Sequence, residues 1–256
     1  MKQMRSRILL VAALLSIVLP ASQSSAATAI VKDGSTLQLG NVTYRLDGVD
    51  VPTIDQSCID EHADVWTCGI EARDQLSKLI DGKQIRCDDL GVDPTYKKRR
   101  IGVCKIEGET TSLSQLLVQK GFALNIETSA SGRFKPDEAR ARDDRQGLWK
   151  GCFVAPHEFR AGKQDGPLLG ASCRADRDRE IREAIFPEER VMPSGCNIKG
   201  KYAVRARVTG NLGIYHLQGC RSYPGLKADR WFCSEEQAQT DGFRRAYNCR
   251  SPSKSK

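Results

Sequence analysis

Aromatic residues make up only 6% of the 256 residues, and methionine and histidine occur 3 times each. No Cys-x-x-Cys pair is present, which counts against thioredoxin-type redox chemistry and most zinc ribbons. Only one long apolar run exists, at the extreme N-terminus, and this excludes collagen, a coiled coil and a polytopic membrane protein. There is no polar low-complexity tract. With 39% hydrophobic and 28% charged residues, the chain can bury a core rather than remain disordered. Its length suits one full domain with a smaller companion, or two modest domains.

The apolar run reads as an export signal of bacterial type. Lys2, Arg5 and Arg7 form a basic start, residues 8–19 are apolar, and Pro20 ends the run. The small residues at 21–27 then offer a cleavage site after Ala26 or Ala27. The run is shorter than the roughly 20 residues that a membrane span wants. The expectation is a signal peptide at 1–26, a product in the periplasm or secreted, and no membrane span after processing. All 10 cysteines follow this segment, and an oxidising compartment would pair an even number. Sequence neighbours put Cys58 with Cys68, Cys87 with Cys104, and Cys152 with Cys173. Cys196, Cys220, Cys233 and Cys249 remain for the tail, with their connectivity open.

Charge is divided unevenly. Residues 27–195 carry 25 basic and 28 acidic side chains, whereas residues 196–256 carry 12 basic and 4 acidic. The basic balance therefore lies in the tail. Such a tail fits a polyanionic partner, whether nucleic acid, acidic polysaccharide or anionic lipid, and equally fits a solubilising surface.

From residue 29 onward, short alternating segments at 29–31, 36–39 and 42–49 read as strands joined by Asp-Gly and Gly-Asn turns. Residues 84–87 and 100–106 read as two more, around a basic loop. Residues 68–80 place Ile70, Ala72, Leu76, Leu79 and Ile80 at helical spacing, and residues 112–120 and 135–146 form two further helices. The fold class expected is α+β: a five-stranded OB-type β-barrel with packed helices, followed by a small disulfide-rich α+β module.

Five blocks in order carry a resemblance. Val31-Lys-Asp-Gly-Ser-Thr-Leu37, Tyr44-Arg-Leu-Asp-Gly-Val-Asp-Val-Pro52 and Cys68-Gly-Ile-Glu-Ala72 come first. Leu116-Leu-Val-Gln-Lys-Gly-Phe-Ala123 and Glu138-Ala-Arg-Ala-Arg142, followed by Gly147-Leu-Trp-Lys-Gly151, come later. Together with residues 96–104 they resemble the thermonuclease (staphylococcal nuclease-like) family over roughly residues 29–155. The resemblance implies an OB barrel and calcium-dependent hydrolysis of DNA and RNA phosphodiesters. The organisation that follows is a nuclease-like domain at 29–155, a charged linker at 156–195 and a basic Cys-rich module at 196–250.

That chemistry requires a hard cation held by carboxylates, guanidiniums to clamp the charge that develops on the phosphorus oxygens, and a carboxylate base. By motif the guanidiniums are Arg45 and Arg99, with Arg100 a substitute because the loop length differs, and the metal ligands are Asp33 and Asp50. Ser35 stands where a second metal-binding Asp is expected, and Thr53 stands where the catalytic Glu is expected. A hydroxyl binds calcium weakly and is no base near neutral pH. Asp47 and Asp55 are the nearby carboxylates that would have to take over. The expected outcome is a nuclease whose hydrolysis is weak or lost, with calcium as its cofactor if active.

The alternative is a non-catalytic exported polyanion-binding or accessory protein. Some thermonuclease-like proteins of rhizobia carry names from succinoglycan (exopolysaccharide) biosynthesis, so the resemblance admits that context. Beyond residue 195 the chain resembles the small module appended to some secreted thermonuclease-like proteins. A strand is expected at 202–208 and a helix at 237–245. A zinc site from His216 and three tail cysteines would have irregular spacing, and export favours disulfides instead. His62 and His157 have no partner at an informative spacing. Trp66, Trp149 and Trp231 are expected to fill cores.

Overall fold

A computed structural model of the chain describes residues 29–126, 132–188 and 190–249; the expected signal segment lies outside them. Strands β1 (Ile30–Asp33), β2 (Thr36–Leu39) and β3 (Val42–Leu46) form a meander. Two-residue strands follow: β4 (Val49–Asp50), β5 (Cys58–Ile59) and β6 (Val65–Trp66), leading into helix α1 (Cys68–Ile80). Strands β7 (Ile85–Val92) and β8 (Arg100–Ile106) come next, then α2 (Leu113–Gln119), β9 (Leu124–Asn125) and α3 (Lys135–Asp143). The main sheet has the order β1-β2-β3-β8-β7, with only β3 and β8 parallel. This is the five-stranded OB arrangement anticipated from the sequence.

The barrel closes around one apolar cluster. Leu37 and Leu46 point inward from adjacent strands, and Ala72, Leu76 and Ile80 form an i, i+4, i+8 stripe on α1 that meets them. Leu113, Leu117 and Val118 seal the cluster from α2. Ser112 caps α2, its hydroxyl accepting from the Gln115 backbone N–H at 3.1 Å. Gly69, in the first turn of α1, sets the position of the loop that follows β4. A Cβ there would lie 1.7 Å from the Thr53 carbonyl oxygen, so only glycine lets the helix approach that loop.

Residues 156–195 are not the solvated linker that their charge density implies. They continue from β10 (Phe153–Val154) into α4 (Pro156–Arg160), β11 (Leu168–Leu169) and α5 (Asp178–Ile185). Phe159, Ile181, Ile185 and Phe186 are buried with Val154 in a second core. The charges of α5 line its outer face while Ile181 and Ile185 face inward, a short amphipathic stripe within a dense charge run.

The C-terminal module is built on a four-stranded sheet. Its strands are β12 (Ile198–Tyr202), β13 (Gly213–His216), β14 (Arg230–Phe232) and β15 (Phe243–Arg245), in the order β14-β12-β13-β15. Two expectations are corrected here. The strand ends at Tyr202, and α6 (Val204–Arg207) follows, burying Ala206 while its arginines stay outside. The helix is α7 (Glu235–Thr240), capped by Ser234, and Gly242 turns the chain into β15. Phe232, Phe243 and Tyr215 form the core of the module.

Five disulfides join the ten cysteines: 58–68, 87–104, 152–173, 196–233 and 220–249. The first three match the sequence-neighbour pairing, and each bridge stabilises by roughly 2–4 kcal/mol in the loop-entropy picture. Five bridges fit an oxidising compartment. Among the described residues no helix is long and apolar enough to cross a membrane.

The module docks on the barrel through a buried charge cluster. The Arg230 side chain is 1% exposed and donates to both oxygens of Asp55, at 2.7 and 2.8 Å, and to Asp241 at 2.8 Å. The Trp231 backbone N–H also donates to Asp55 at 3.0 Å. Burial works against the Asp55 charge, but Arg230 outweighs it and holds that carboxyl below the usual range. For Asp241 burial wins over the same guanidinium and its pKa rises. The two acids are therefore unequal. Asp55→Asn should cost about 3–5 kcal/mol, the scale for breaking a buried pair, while Asp241→Asn should cost about 1 kcal/mol or less. Urea unfolding of the oxidised variants checks this, and equal losses would refute the ranking.

Candidate functional site

A cavity of about 170 Å³ lies where the barrel, α4 and the C-terminal module meet. The end of β1 contributes Asp33 and the turn after it Ser35, β3 contributes Arg45, and the end of β4 and the loop after it contribute Asp50 and Thr53. Arg99 enters from the β7–β8 loop and Arg160 from α4, while Arg230, Thr240 and Asp241 come from the module. Four guanidiniums thus share one cavity with three carboxylates.

The guanidiniums are held differently. Arg99 is almost fully buried; its Nε donates to Asp93 at 2.8 Å and its Nη1 to the Thr36 hydroxyl at 3.3 Å. Thr36 is the cross-strand partner of Arg45, so the sheet register sets the two arginines side by side. Arg45 makes no hydrogen bond or ion pair among the described residues. Burial and the neighbouring Arg99 both lower its pKa. An unpaired guanidinium in a half-buried site is costly, and the cost falls when an anion binds.

The carboxylates are largely committed. Asp50 receives the Arg160 guanidinium on one oxygen. On the other it receives the His157 backbone N–H at 2.9 Å and the His157 Nδ1 at 3.0 Å. Asp33 accepts from the backbone N–H and the hydroxyl of Ser35 at 2.8 and 3.0 Å, both on Oδ1. Thr53 donates its hydroxyl to Asp55 at 3.1 Å.

This donor set does not fit calcium. A hard cation takes six to eight oxygens, several of them carboxylate. Here one expected acid is Ser35, another is Thr53, Asp50 is bound to a guanidinium, and four arginines repel a cation. The three substitutes also fall away. Asp47 does not line the cavity; it pairs with Arg133, outside it. Asp55 is locked under Arg230. Arg100 pairs with Asp89 in solvent and does not line the cavity, whereas Arg99 does.

Sequence reasoning missed Arg160, Arg230, Thr240 and Asp241, and gave His157, which bonds Asp50 from outside the cavity lining, no partner. Each comes from more than a hundred residues beyond the β1–β3 meander, and none sits in a local motif. A zinc site is likewise not formed in the oxidised chain. The grouping of three metal-donor side chains among the described residues is His216, Cys220 and Cys249, and both sulfurs belong to one disulfide.

The His157–Asp50 contact has a pH signature. Asp50 raises the His157 pKa above 6.5, so this contribution is full below 6.5 and disappears as pH rises through the folded value. The Asp50 pKa is lowered from 3.8, burial opposing and Arg160 prevailing, so its contribution disappears only on acidification through the folded value. His157→Gln should therefore flatten the alkaline decline of Tm across roughly pH 6–8 and leave the acid limb in place. A wild-type alkaline slope in this variant would refute the assignment. The effect is small because the imidazole is largely solvated.

A family model described as staphylococcal nuclease homologue matches residues 43–151. A curated relative, "Succinoglycan biosynthesis protein ExoI" of Rhizobium meliloti (strain 1021), is 26% identical over 123 residues. That alignment covers 48% of this chain and 63% of the relative, so the chain spans less than two thirds of its length. Arg45, Asp50 and Arg99 fall inside the matched domain, whereas Arg160, Arg230, Thr240 and Asp241 fall beyond it.

Proposed function

We propose that this chain, which belongs through residues 43–151 to the staphylococcal nuclease homologue family, holds phosphate esters in the Arg45 cavity and has weak or no calcium-dependent hydrolysis. The observation that carries this reading is the unpaired Arg45 guanidinium beside a fixed Arg99, in a cavity whose carboxylates are already bonded. Guanidiniums recognise phosphate oxygens with directed hydrogen bonds. A cation and a base are what the family's hydrolysis adds, and those parts are depleted here. The partner is nucleic acid, and the setting is periplasmic or extracellular, as five disulfides favour.

A second reading replaces nucleic acid with an acidic polysaccharide. It is favoured by the name of the relative, which places that protein in succinoglycan biosynthesis. Arg45 would then meet a sugar acid or phosphate substituent.

The full oxidised chain should bind a single-stranded DNA or RNA oligonucleotide, and Arg45→Ala should weaken binding about tenfold or more. Calcium should add no cleavage over chelator. Ser35→Asp/Thr53→Glu should also remain inactive, because Arg160 still occupies Asp50. Adding Arg160→Gln should allow calcium-stimulated cleavage to appear. Cleavage by the unaltered protein that chelator abolishes would refute the loss of hydrolysis. Oligonucleotide binding indifferent to Arg45, with acidic polysaccharide binding dependent on it, would favour the second reading.

A further inference from the structure

Three side chains of the C-terminal module meet at the end of β13, away from the cavity lining. One ring nitrogen of His216 and the Sγ atoms of Cys220 and Cys249 all lie within 4.8 Å of one another, and all three residues are buried. His216 is 6% exposed, and its Nδ1 has no hydrogen-bond partner. A buried ring nitrogen in that state is rare, because it forfeits its bond to water without replacement. The bridge between Cys220 and Cys249 joins the two sulfurs to each other and leaves the imidazole standing beside them.

Backbone bonds hold this cluster independently of the bridge. The Cys220 N–H donates to the Leu217 carbonyl at 2.9 Å, which folds residues 217–220 into a turn directly after β13. The Ala246 N–H donates to the Tyr215 carbonyl at 3.0 Å, and the Cys249 N–H donates to the Ala246 carbonyl at 3.1 Å. The second cysteine is thereby tied to the residue before His216. The Leu217 N–H also donates to the Cys220 sulfur at 3.1 Å, a contact that favours the thiolate form. Ala206, Ile214 and Ala246 pack with the two cysteines and give the cluster an apolar surround.

We infer that His216, Cys220 and Cys249 form a zinc site that alternates with the 220–249 disulfide. Tetrahedral zinc, about 2.0–2.3 Å from each donor, spaces its ligands about 3.5–3.8 Å apart, so the sulfurs must part and the imidazole shift by about 1 Å. Thiolates and an imidazole select a thiophilic cation over calcium or magnesium. Zinc with two thiolates is a neutral unit, which suits a buried site close to the Arg205 cation. Three protein donors leave the fourth position to water. The newly made chain carries the pair as thiols, and a dithiol donor regenerates them from the bridge by exchange. In that step the Sγ–Sγ bond breaks, the donor becomes a disulfide, and its two protons pass to the sulfurs. Zinc then displaces both protons to solvent. Either state cross-links β13 to the Cys249 segment.

The full oxidised chain is equilibrated anaerobically in glutathione buffers of graded ratio, at fixed free zinc or with chelator, and each cysteine pair is scored by alkylation and mass mapping. Zinc at about ten times its dissociation constant should lower the reducing ratio that opens 220–249 by about tenfold. The bridges 58–68, 87–104, 152–173 and 196–233 should not respond. His216→Ala should remove most of the shift. Cobalt in place of zinc should give the charge-transfer band of a tetrahedral thiolate site in the opened chain, and none in Cys220→Ser/Cys249→Ser. That band reads the site in the unaltered chain even if His216→Ala fails to fold. A 220–249 bridge that opens at the same ratio with and without zinc, or stays closed at every ratio with zinc present, would overturn the inference. So would an equal shift in His216→Ala, or a cobalt band that survives the double serine replacement.

Discussion

Arg230 is a fully buried cation whose neutralisation ties two parts of the chain together. Removing a guanidinium from water costs several kcal/mol, and only well-formed bonds to opposite charge offset it. Asp55, on the barrel side, supplies a two-point pairing, and Asp241, within the module, supplies a third bond. Neither part can therefore expose its half cheaply: without the module, Asp55 is left with a buried, uncompensated charge. Tyr202 reinforces the same seam by donating its hydroxyl to the Arg160 carbonyl at 3.0 Å. The module behaves as a wall of the structure, and a chain shortened at residue 195 would lose part of the barrel's internal electrostatics along with any surface charge.

That seam decides what the cavity can hold. Asp55 is anchored by Arg230, so the loop carrying Thr53 is fixed. Phe159 stacks on Phe186 at 5.3 Å, which anchors α4 and sets Arg160 against Asp50. In a phosphodiesterase that works through a cation, Asp50 would face the metal. Here it faces a guanidinium and an imidazole, and neutral hydroxyls occupy the two positions where further acids are expected. Each of these changes moves the local potential in the positive direction. Together they describe a cavity that attracts an oxyanion and repels calcium, although the barrel beneath it lies in the stretch that the staphylococcal nuclease homologue model matches.

The sequence patterns disclosed the barrel well, because its determinants are local. The Asp-Gly-Ser turn, the alternation along β3 and the stripe of Ala72, Leu76 and Ile80 each report on neighbours within a few residues. Adjacent cysteines paired as expected for the same reason. The tail was less legible: residues 202–208, with Arg205 and Arg207 two apart, carry a strand-like alternation, but the chain coils into α6 because Ala206 packs beneath β13. The charge alternation over 174–190 suits a solvated helix, and α5 does form there, but Ile181 and Ile185 four apart bury one of its faces. The site was half legible. Arg45, Arg99, Asp33 and Asp50 reach it by motif, whereas Arg160 and Arg230 reach it through long-range packing that no local pattern encodes.

The tail's net charge overstates its free positive surface for a similar reason. The tail's excess of cations suggests a broad basic surface, but several are spent internally. Arg230 is buried between carboxylates, Lys199 donates to the Tyr223 and Leu226 carbonyls at 3.1 and 2.8 Å, and Lys201 is tied to Asp229 at the surface. The electrostatic argument for an anionic ligand therefore rests on the cavity. Arg99 and Arg230 are already fixed by carboxylates, so they lose little freedom when a ligand arrives. Arg45 is different: it sits desolvated beside another guanidinium with no counter-charge bonded to it, a state that folding alone gives no reason to maintain. An oxyanion entering the cavity would relieve that repulsion, and binding so selective for the folded state must stabilise it increasingly as ligand concentration rises.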